Sequence, residues 1–237
     1  MKFLFQYPDL IGPDGSLLDA GSIQDVARAC EDAGWDAFAF TDHPAPGARW
    51  LSSGGHQSLD PFVALTAAAA VTNRIQLLTY LVVLPYRNPF ITAKAAATLD
   101  LVSNGRFILG VGTGYLKGEY HALGVNFEER NQMFDDAIAA MRKYWSGEPF
   151  SHEGIGYNAR EIIGRPAPTN RNIPIWIGGN AKVTKRRVAE RAEGWMPLRG
   201  SEELHNTTRT PMIQDLGAEI AEVKAMAGPR ADELQFM

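Results

Sequence analysis

The sequence predicts an α/β protein built on a parallel sheet with helices packed against it. Three observations carry this reading. Short β-rich runs alternate with helix-period patterns along the chain. One run, residues Ile75–Leu84, is apolar on both faces, as a strand buried between two layers must be. The links after the helices are short, and no fixed-period repeat or low-complexity linker divides the 237 residues. One domain over residues 1–237 is therefore expected. A barrel and a doubly wound open sheet both satisfy the pattern.

The elements follow in order. Phe3–Tyr7 reads as the first strand. Ser22 is placed to cap a helix, with Asp25 three positions on to reach back. Ile23, Val26, Ala27 and Cys30 form its apolar stripe, and Gly34 stops it. Asp36–Thr41 is the second strand. Asp60-Pro61 sets a cap before a proline at the first helical position, and this helix runs to about Thr72 with Asn73 behind it. Ile75–Leu84 is the third strand. Asn88-Pro89 opens a helix that closes near Gly105, and Phe107–Val111 is the fourth strand. Asn126 with Glu129 looks like a capping box for a long helix. Along it Phe134, Ile138, Met141 and Trp145 recur at helical spacing until Gly147. Residues 148–172 read as one long irregular excursion from the scaffold. Pro174–Gly178 is the fifth strand, Lys182–Glu193 a helix ended by Gly194, and Trp195–Leu198 the sixth strand. A helix from about Thr210 to Ala227 precedes a seventh strand at Leu234–Met237.

Composition narrows the function classes. Lys and Arg number 23 against 27 Asp and Glu, a net charge of −4, which disfavours broad nucleic-acid binding. No apolar run reaches the roughly 18 residues of a membrane span. The N-terminal MKFLFQYPDL does not read as a signal peptide. The single cysteine, Cys30, excludes an internal disulfide and thiolate zinc clusters and suits a reducing cytoplasm. His56, His121, His152 and His205 are scattered, and none has a His or Cys partner at metal-ligand spacing.

Chemistry is expected where strands end, because barrel sites lie at the C-terminal ends of the strands. The second strand ends in Asp42-His43, a carboxylate and an imidazole that suit acid–base work or hydrogen bonding to a ring, although both residue types are common in turns. The fourth strand runs into Gly110-Val111-Gly112-Thr113-Gly114. Its glycines allow close approach to a ligand or simply a tight turn, and the spacing is not a dinucleotide fingerprint. The fifth strand runs into Gly178-Gly179-Asn180 and a helix start, a phosphate-site candidate. Lys182, Lys185, Arg186 and Arg187 follow, which alone would read as a solvated basic face. Arg87 reads either as an anion ligand or as the partner of a surface acid, and Asp135 and Asp136 as solvated.

Together, AGWDAFAFTDHP, LDPFVALTAAAAVTNRIQLLTYLVVLPYRNPF, the stretch AAATLDLVSNGRFILGVGTGYLKGEYHALGVNFEERNQMFDDAIAAMRKYW and IPIWIGGNAKVTKRRVAERAEGW resemble the luciferase-like monooxygenase superfamily, in particular its branch of F420-dependent oxidoreductases. The resemblance covers most of residues 1–197. It implies a (β/α)8 TIM-type barrel with a deazaflavin or flavin at the strand C-termini. It places Asp42 and His43 at the cofactor ring. It implies a bulge behind the ring at Thr79, Tyr80 and Leu81, often with a non-proline cis peptide. It assigns Gly112, Thr113 and Gly114 to the cofactor, and Gly178, Gly179 and Asn180 to its phosphate end. Tyr80 departs from relatives, which often carry a small residue there. The implied function is hydride transfer between F420 and a small organic substrate. His43 would polarise or protonate beside the ring, and Asp42 would fix its tautomer or bind the ring. Tyr115, Glu119 and the 148–172 excursion would shape the substrate side. The alternatives are an FMN-dependent monooxygenase, a shortened non-catalytic flavin-type binder, and a barrel enzyme acting on a phosphorylated substrate without redox cofactor. No metal is implied, and a homodimer is expected. Seven strands are counted where relatives have eight, so the barrel is expected to lack its last βα unit.

Overall fold

The computed structural model describes residues 2–9, 15–198 and 213–237. Its sheet is parallel throughout. The strands are β1 (Leu4–Gln6), β2 (Ala37–Phe40), β3 (Gln76–Thr79), β4 (Val82–Val83), β5 (Phe107–Gly112), a hairpin of β6 (Pro149–Gly154) and β7 (Tyr157–Ile163), then β8 (Ile175–Gly178), β9 (Gly194–Met196) and β10 (Gln235–Phe236). The order β1-β2-β3-β5-β8-β9-β10 gives seven positions, with β4 as a second segment on β5. The helices are α1 (Ile23–Asp32), α2 (Ala48–Ser52), α3 (Pro61–Ala69), α4 (Pro89–Val102), α5 (Lys117–Ala122), α6 (Arg130–Trp145), α7 (Lys182–Arg191) and α8 (Leu216–Ala227); the short α2 and α5 lie in links that follow the strand C-termini.

Two-residue periodicity sorts the strand side chains into two cores. Phe38, Phe40, Leu77, Phe107, Leu109, Val111, Ile175, Ile177 and Trp195 point out and pack beneath the helices. Ala39, Leu78, Ile108, Trp176 and Met196 point inward into a second cluster that Leu4 and Met237 also join. Leu4 opens β1 and Met237 follows β10, so the sheet curls until its two edges share one interior. No ladder joins those edges among the described residues; Lys2 Nζ donates across the gap to Gln235 Oε1 at 3.0 Å.

Several expectations need correction. The third strand is not continuous: a non-proline cis peptide at Tyr80–Leu81 divides β3 from β4, and Leu84 already belongs to a 3-10 turn. The irregular excursion contains the antiparallel β6–β7 hairpin. β6 alternates exposed and half-buried residues, and β7 does so with a break at the exposed Arg160-Glu161, a two-residue pattern concealed by polar side chains and by Gly154 and Gly156 at the turn. Asn126 caps a 3-10 turn, accepting from the Glu128 amide, and α6 begins after it. Gly194 does not end α7, which finishes at Arg191. It opens β9, where a Cβ would lie 2.6 Å from the Trp176 ring. The expected helix start at Thr210 lies outside the described residues; Asp215 caps α8.

Candidate active site

At the C-terminal end of the sheet, Leu81 packs against the inner cluster. A Cβ on Gly112 would lie 2.6 Å from Leu81 Cδ1, and one on Gly178 would overlap Leu81 Cδ2. These two glycines therefore make room for Leu81. Gly114 has a left-handed φ of 66°, and its missing Cβ leaves space for Val83. The Thr113 carbonyl accepts from the Tyr120 hydroxyl, and Thr79 Oγ1 donates to the Gly110 carbonyl at 2.7 Å. Tyr80 lies beside the inner cluster, and burial raises its hydroxyl pKa.

Asp42 and His43, adjacent in sequence, do not pair. Successive side chains of extended backbone point to opposite faces. Asp42 is buried; its Oδ1 accepts from Arg87 Nη2 at 2.8 Å and its Oδ2 from the Val83 amide at 3.3 Å. Burial lifts its pKa above the ordinary carboxylate value, against the pull of Arg87 and the Val83 amide. Asp42 thus ties the strand end to β4 instead of setting the His43 tautomer. Arg87 also reaches Asp60 at 3.1 Å, which fits the ion-pair reading of this residue, with a buried acid as its main partner.

The group that holds His43 is Glu119 of α5, only 1% exposed, whose Oε2 lies 3.3 Å from His43 Nδ1. Tyr86 donates to the same oxygen at 2.9 Å, and the Ala45 amide donates to Oε1 at 3.3 Å. Burial, and then the Glu119 charge, push the Tyr86 pKa far up, so this hydroxyl remains a donor. A carboxylate can only accept here, so Nδ1 carries the proton and Nε2 the lone pair. Nε2 has no hydrogen bond among the described residues. Trp50 of α2 packs on the His43 ring with centroids 4.7 Å apart, His56 meets it edge-on at 4.8 Å, and Tyr115 lies at 6.4 Å. A cavity of ≈ 270 Å³ opens between His43, Pro44, Ser58, Leu59, Asp42, Asp60 and Arg87. A larger one, ≈ 440 Å³, lies on the flank between Tyr86–Pro89, α6 and the hairpin turn.

Gly178, Gly179 and Asn180 lead into α7. Its N-cap is Ala181, whose side chain makes no cap hydrogen bond to the first-turn amides, the groups at a helix start that can bind an anion. The Asn180 amide clamps the Leu198 backbone from both sides. The basic run divides. Lys185 is paired with Glu219 and Glu222 of α8, and Arg187 with Asp135 of α6. Lys182 and Arg186 are exposed. Asp135 and Asp136 are not merely solvated, since Asp136 accepts from Tyr157 and lies 2.7 Å from His152 Nε2.

Trp50 and His56 were missed as site residues. The available signal is Gly54-Gly55 before His56: a Cβ on Gly55 would lie 2.5 Å from the Trp50 ring, so glycine lets the chain cross Trp50 there. His205 lies outside the described residues. Among the described residues no cluster of three or more His, Cys, Asp or Glu could hold a metal, and no helix is long and apolar enough to cross a membrane.

The sequence matches the luciferase-like monooxygenase family over residues 1–237. It is 31% identical over 228 residues to an F420-dependent glucose-6-phosphate dehydrogenase of Gordonia bronchialis, covering 92% of this chain and 64% of that protein. The fold resembles a monooxygenase from Streptomyces bottropensis, with a TM-score of 0.79, 21% identity, and coverage of 100% of this chain and 70% of that one. It also resembles an F420-dependent secondary alcohol dehydrogenase solved with an F420–acetone adduct, with a TM-score of 0.76, 21% identity, and coverage of 99% and 67%. These neighbours show the fold as that of a luciferase-like TIM barrel. The chain spans 58% to 64% of the length of curated relatives that include F420-dependent dehydrogenases.

Proposed function

Since the chain belongs to the luciferase-like monooxygenase family, we propose that it is an oxidoreductase that transfers a hydride between the deazaflavin F420 and a small organic substrate. One observation carries this reading. An imidazole with a fixed tautomer, held by a fully buried carboxylate, stands at the C-terminal end of β2. The residues fit a flat ring with a phosphate-bearing tail. Leu81, seated between Gly112 and Gly178, offers an apolar surface at the C-terminal end of the sheet. The uncapped start of α7, with Gly179 and Lys182, offers amides and one exposed cation to a phosphate.

Bound F420 supplies a ring carbon that gives or takes a hydride. The protein supplies orientation and the proton. His43 Nε2 holds or delivers a proton to the reacting oxygen, while Glu119 keeps Nδ1 protonated and stabilises the imidazolium. Trp50 and Tyr115 shield the imidazole from water on its open sides. Asp42 and Arg87 act one layer back, fixing the end of β2 to β4. We read residues 1–237 as one domain, working as a homodimer in the cytoplasm.

The test is an equilibrium titration of the purified chain with F420 and with FMN, followed by turnover with enone, nitro and alcohol substrates with and without oxygen. The expected result is F420 binding and oxygen-independent hydride transfer that His43→Ala abolishes. FMN binding alone, with oxygen-dependent turnover, would replace this reading by a flavin monooxygenase. Binding without turnover on any substrate would replace it by a non-catalytic binder. Failure to bind either cofactor would point to a barrel enzyme without a redox group.

A further inference from the structure

We propose that His56 is a positioning residue for His43, so that the site contains two coupled imidazole–carboxylate pairs. The catalytic meaning of this pairing rests on the role given to His43 above; the coupling itself does not.

His56 is built into the site from three directions. Its Nδ1 lies 3.3 Å from Asp9 Oδ2 and 3.1 Å from the Gln57 carbonyl. A carbonyl only accepts, so Nδ1 carries the proton and Nε2 the lone pair. Asp9 is itself fixed, since its Oδ2 accepts from Gln6 Nε2 at 2.7 Å and from Thr41 Oγ1 at 3.1 Å. Gln6 ends β1 and Thr41 follows β2, so the sheet anchors this second carboxylate as α5 anchors Glu119. Gly55 brings the chain across Trp50, whose ring packs against both imidazoles at 4.7 Å and 5.4 Å. The His56 ring stands at 85° to that of His43, with centroids 4.8 Å apart. The tilt and edge contacts limit rotation of the His43 ring about its Glu119 hydrogen bond.

The same geometry couples their charges. Groups facing the pair are Glu119 with Tyr86 behind it, Asp9, Tyr115, and the Asp42–Arg87–Asp60 cluster across the end of β2. Each imidazole has one carboxylate of its own, and two imidazolium charges this close repel. At an effective dielectric between that of a protein surface and water, unit charges at this separation interact by about one pH unit. A proton on one ring then opposes a proton on the other.

The experiment is an NMR titration of the histidine ring signals in the cofactor-free chain, with His43→Gln and His56→Gln providing the assignments. It needs neither cofactor nor turnover, so its failure is distinct from failure of the cofactor reading. In the unsubstituted protein the two curves should be broader than single-proton curves. In His56→Gln the His43 midpoint should rise by about one pH unit, because a repelling charge is gone and Asp9 has lost its partner. Independent single-proton curves, or an unchanged His43 midpoint in His56→Gln, overturn the proposal. Should that variant fail to fold, Asp9→Asn decides. A shift of both histidines supports coupling, and a shift confined to His56, or none, refutes it.

Discussion

Glu119→Gln is the substitution that the site geometry constrains most tightly. The carboxylate accepts three donors: Tyr86 and His43 at Oε2, and the Ala45 amide at Oε1. A carboxamide has one accepting and one donating end. If its oxygen takes the Oε2 position, its NH2 faces the Ala45 N–H. If it is turned over, its NH2 faces His43 Nδ1, which must then move its proton to Nε2, and the Tyr86 hydroxyl, which loses its acceptor. Either placement leaves one buried mismatch, which costs about 1–3 kcal/mol. Each kcal/mol lowers Tm by about 2–4 °C in a chain of this size. In the turned-over form Nε2 carries the proton, and turnover dependent on its lone pair falls by about 10²–10⁴. Differential scanning calorimetry reads the stability, and 15N-imidazole NMR reads the tautomer. Coenzyme turnover at saturating F420 reads the rate. A variant with unchanged Tm, a protonated Nδ1 on His43 and turnover within twofold of the parent would remove Glu119 from the reasoning.

Other expectations are local. Gly178→Ala overlaps Leu81 Cδ2 and should cost about 1–3 kcal/mol in urea unfolding. Adding Leu81→Ala should recover part of that loss, whereas equal and additive losses would contradict the packing assignment. Glu31 accepts from the amides of Asn73, Arg74 and Ile75 at 2.9, 2.6 and 2.9 Å. Burial pushes its pKa up, but those amides and Arg74 more than reverse this, so the net shift is downward. A lowered carboxylate pKa stabilises the fold above the unfolded value of about 4.3 and loses that contribution as pH falls through the folded value. The stability difference between the parent and Glu31→Gln should therefore be constant near neutrality and vanish toward acid; a pH-independent difference counts against it. Arg106 donates to Ser103, Thr72, Ile75 and Ala69 at the N-terminal end of β5. Arg106→Lys should cost about 2–4 kcal/mol while leaving cofactor affinity unchanged, and a large affinity change would show that the two ends of the sheet are not independent.

Much of the scaffold was legible because its determinants are local. Ser22, Asp60 and Asn88 each cap the helix that follows them, as their residue types and positions require. The alternation of the hairpin is obscured, because its apolar residues Phe150, Tyr157, Ala159, Ile162 and Ile163 are interleaved with charged side chains and with Gly154 and Gly156. Gly194 was read as a helix stop because a close contact with Trp176 leaves no trace in neighbouring residues. The basic run around Lys185 looked solvated because its acidic partners lie on α6 and α8.

The site shows the same division. The sequence singles out His43 and the glycines after β5 and β8 by their place at strand ends, and the Tyr80–Leu81 segment by resemblance. It does not single out the partner of His43. Sequence adjacency suggested Asp42, but extended backbone turns neighbouring side chains apart, and α5 delivers Glu119 from 76 positions away. His56 likewise joins the site through Gly55 and the Asp9 anchor. By itself the sequence determined the strand–helix order, the caps and the family, because these depend on residue type at short range. Only the tertiary structure decided which carboxylate holds which imidazole, because that depends on side-chain direction and on contacts between elements far apart in the chain.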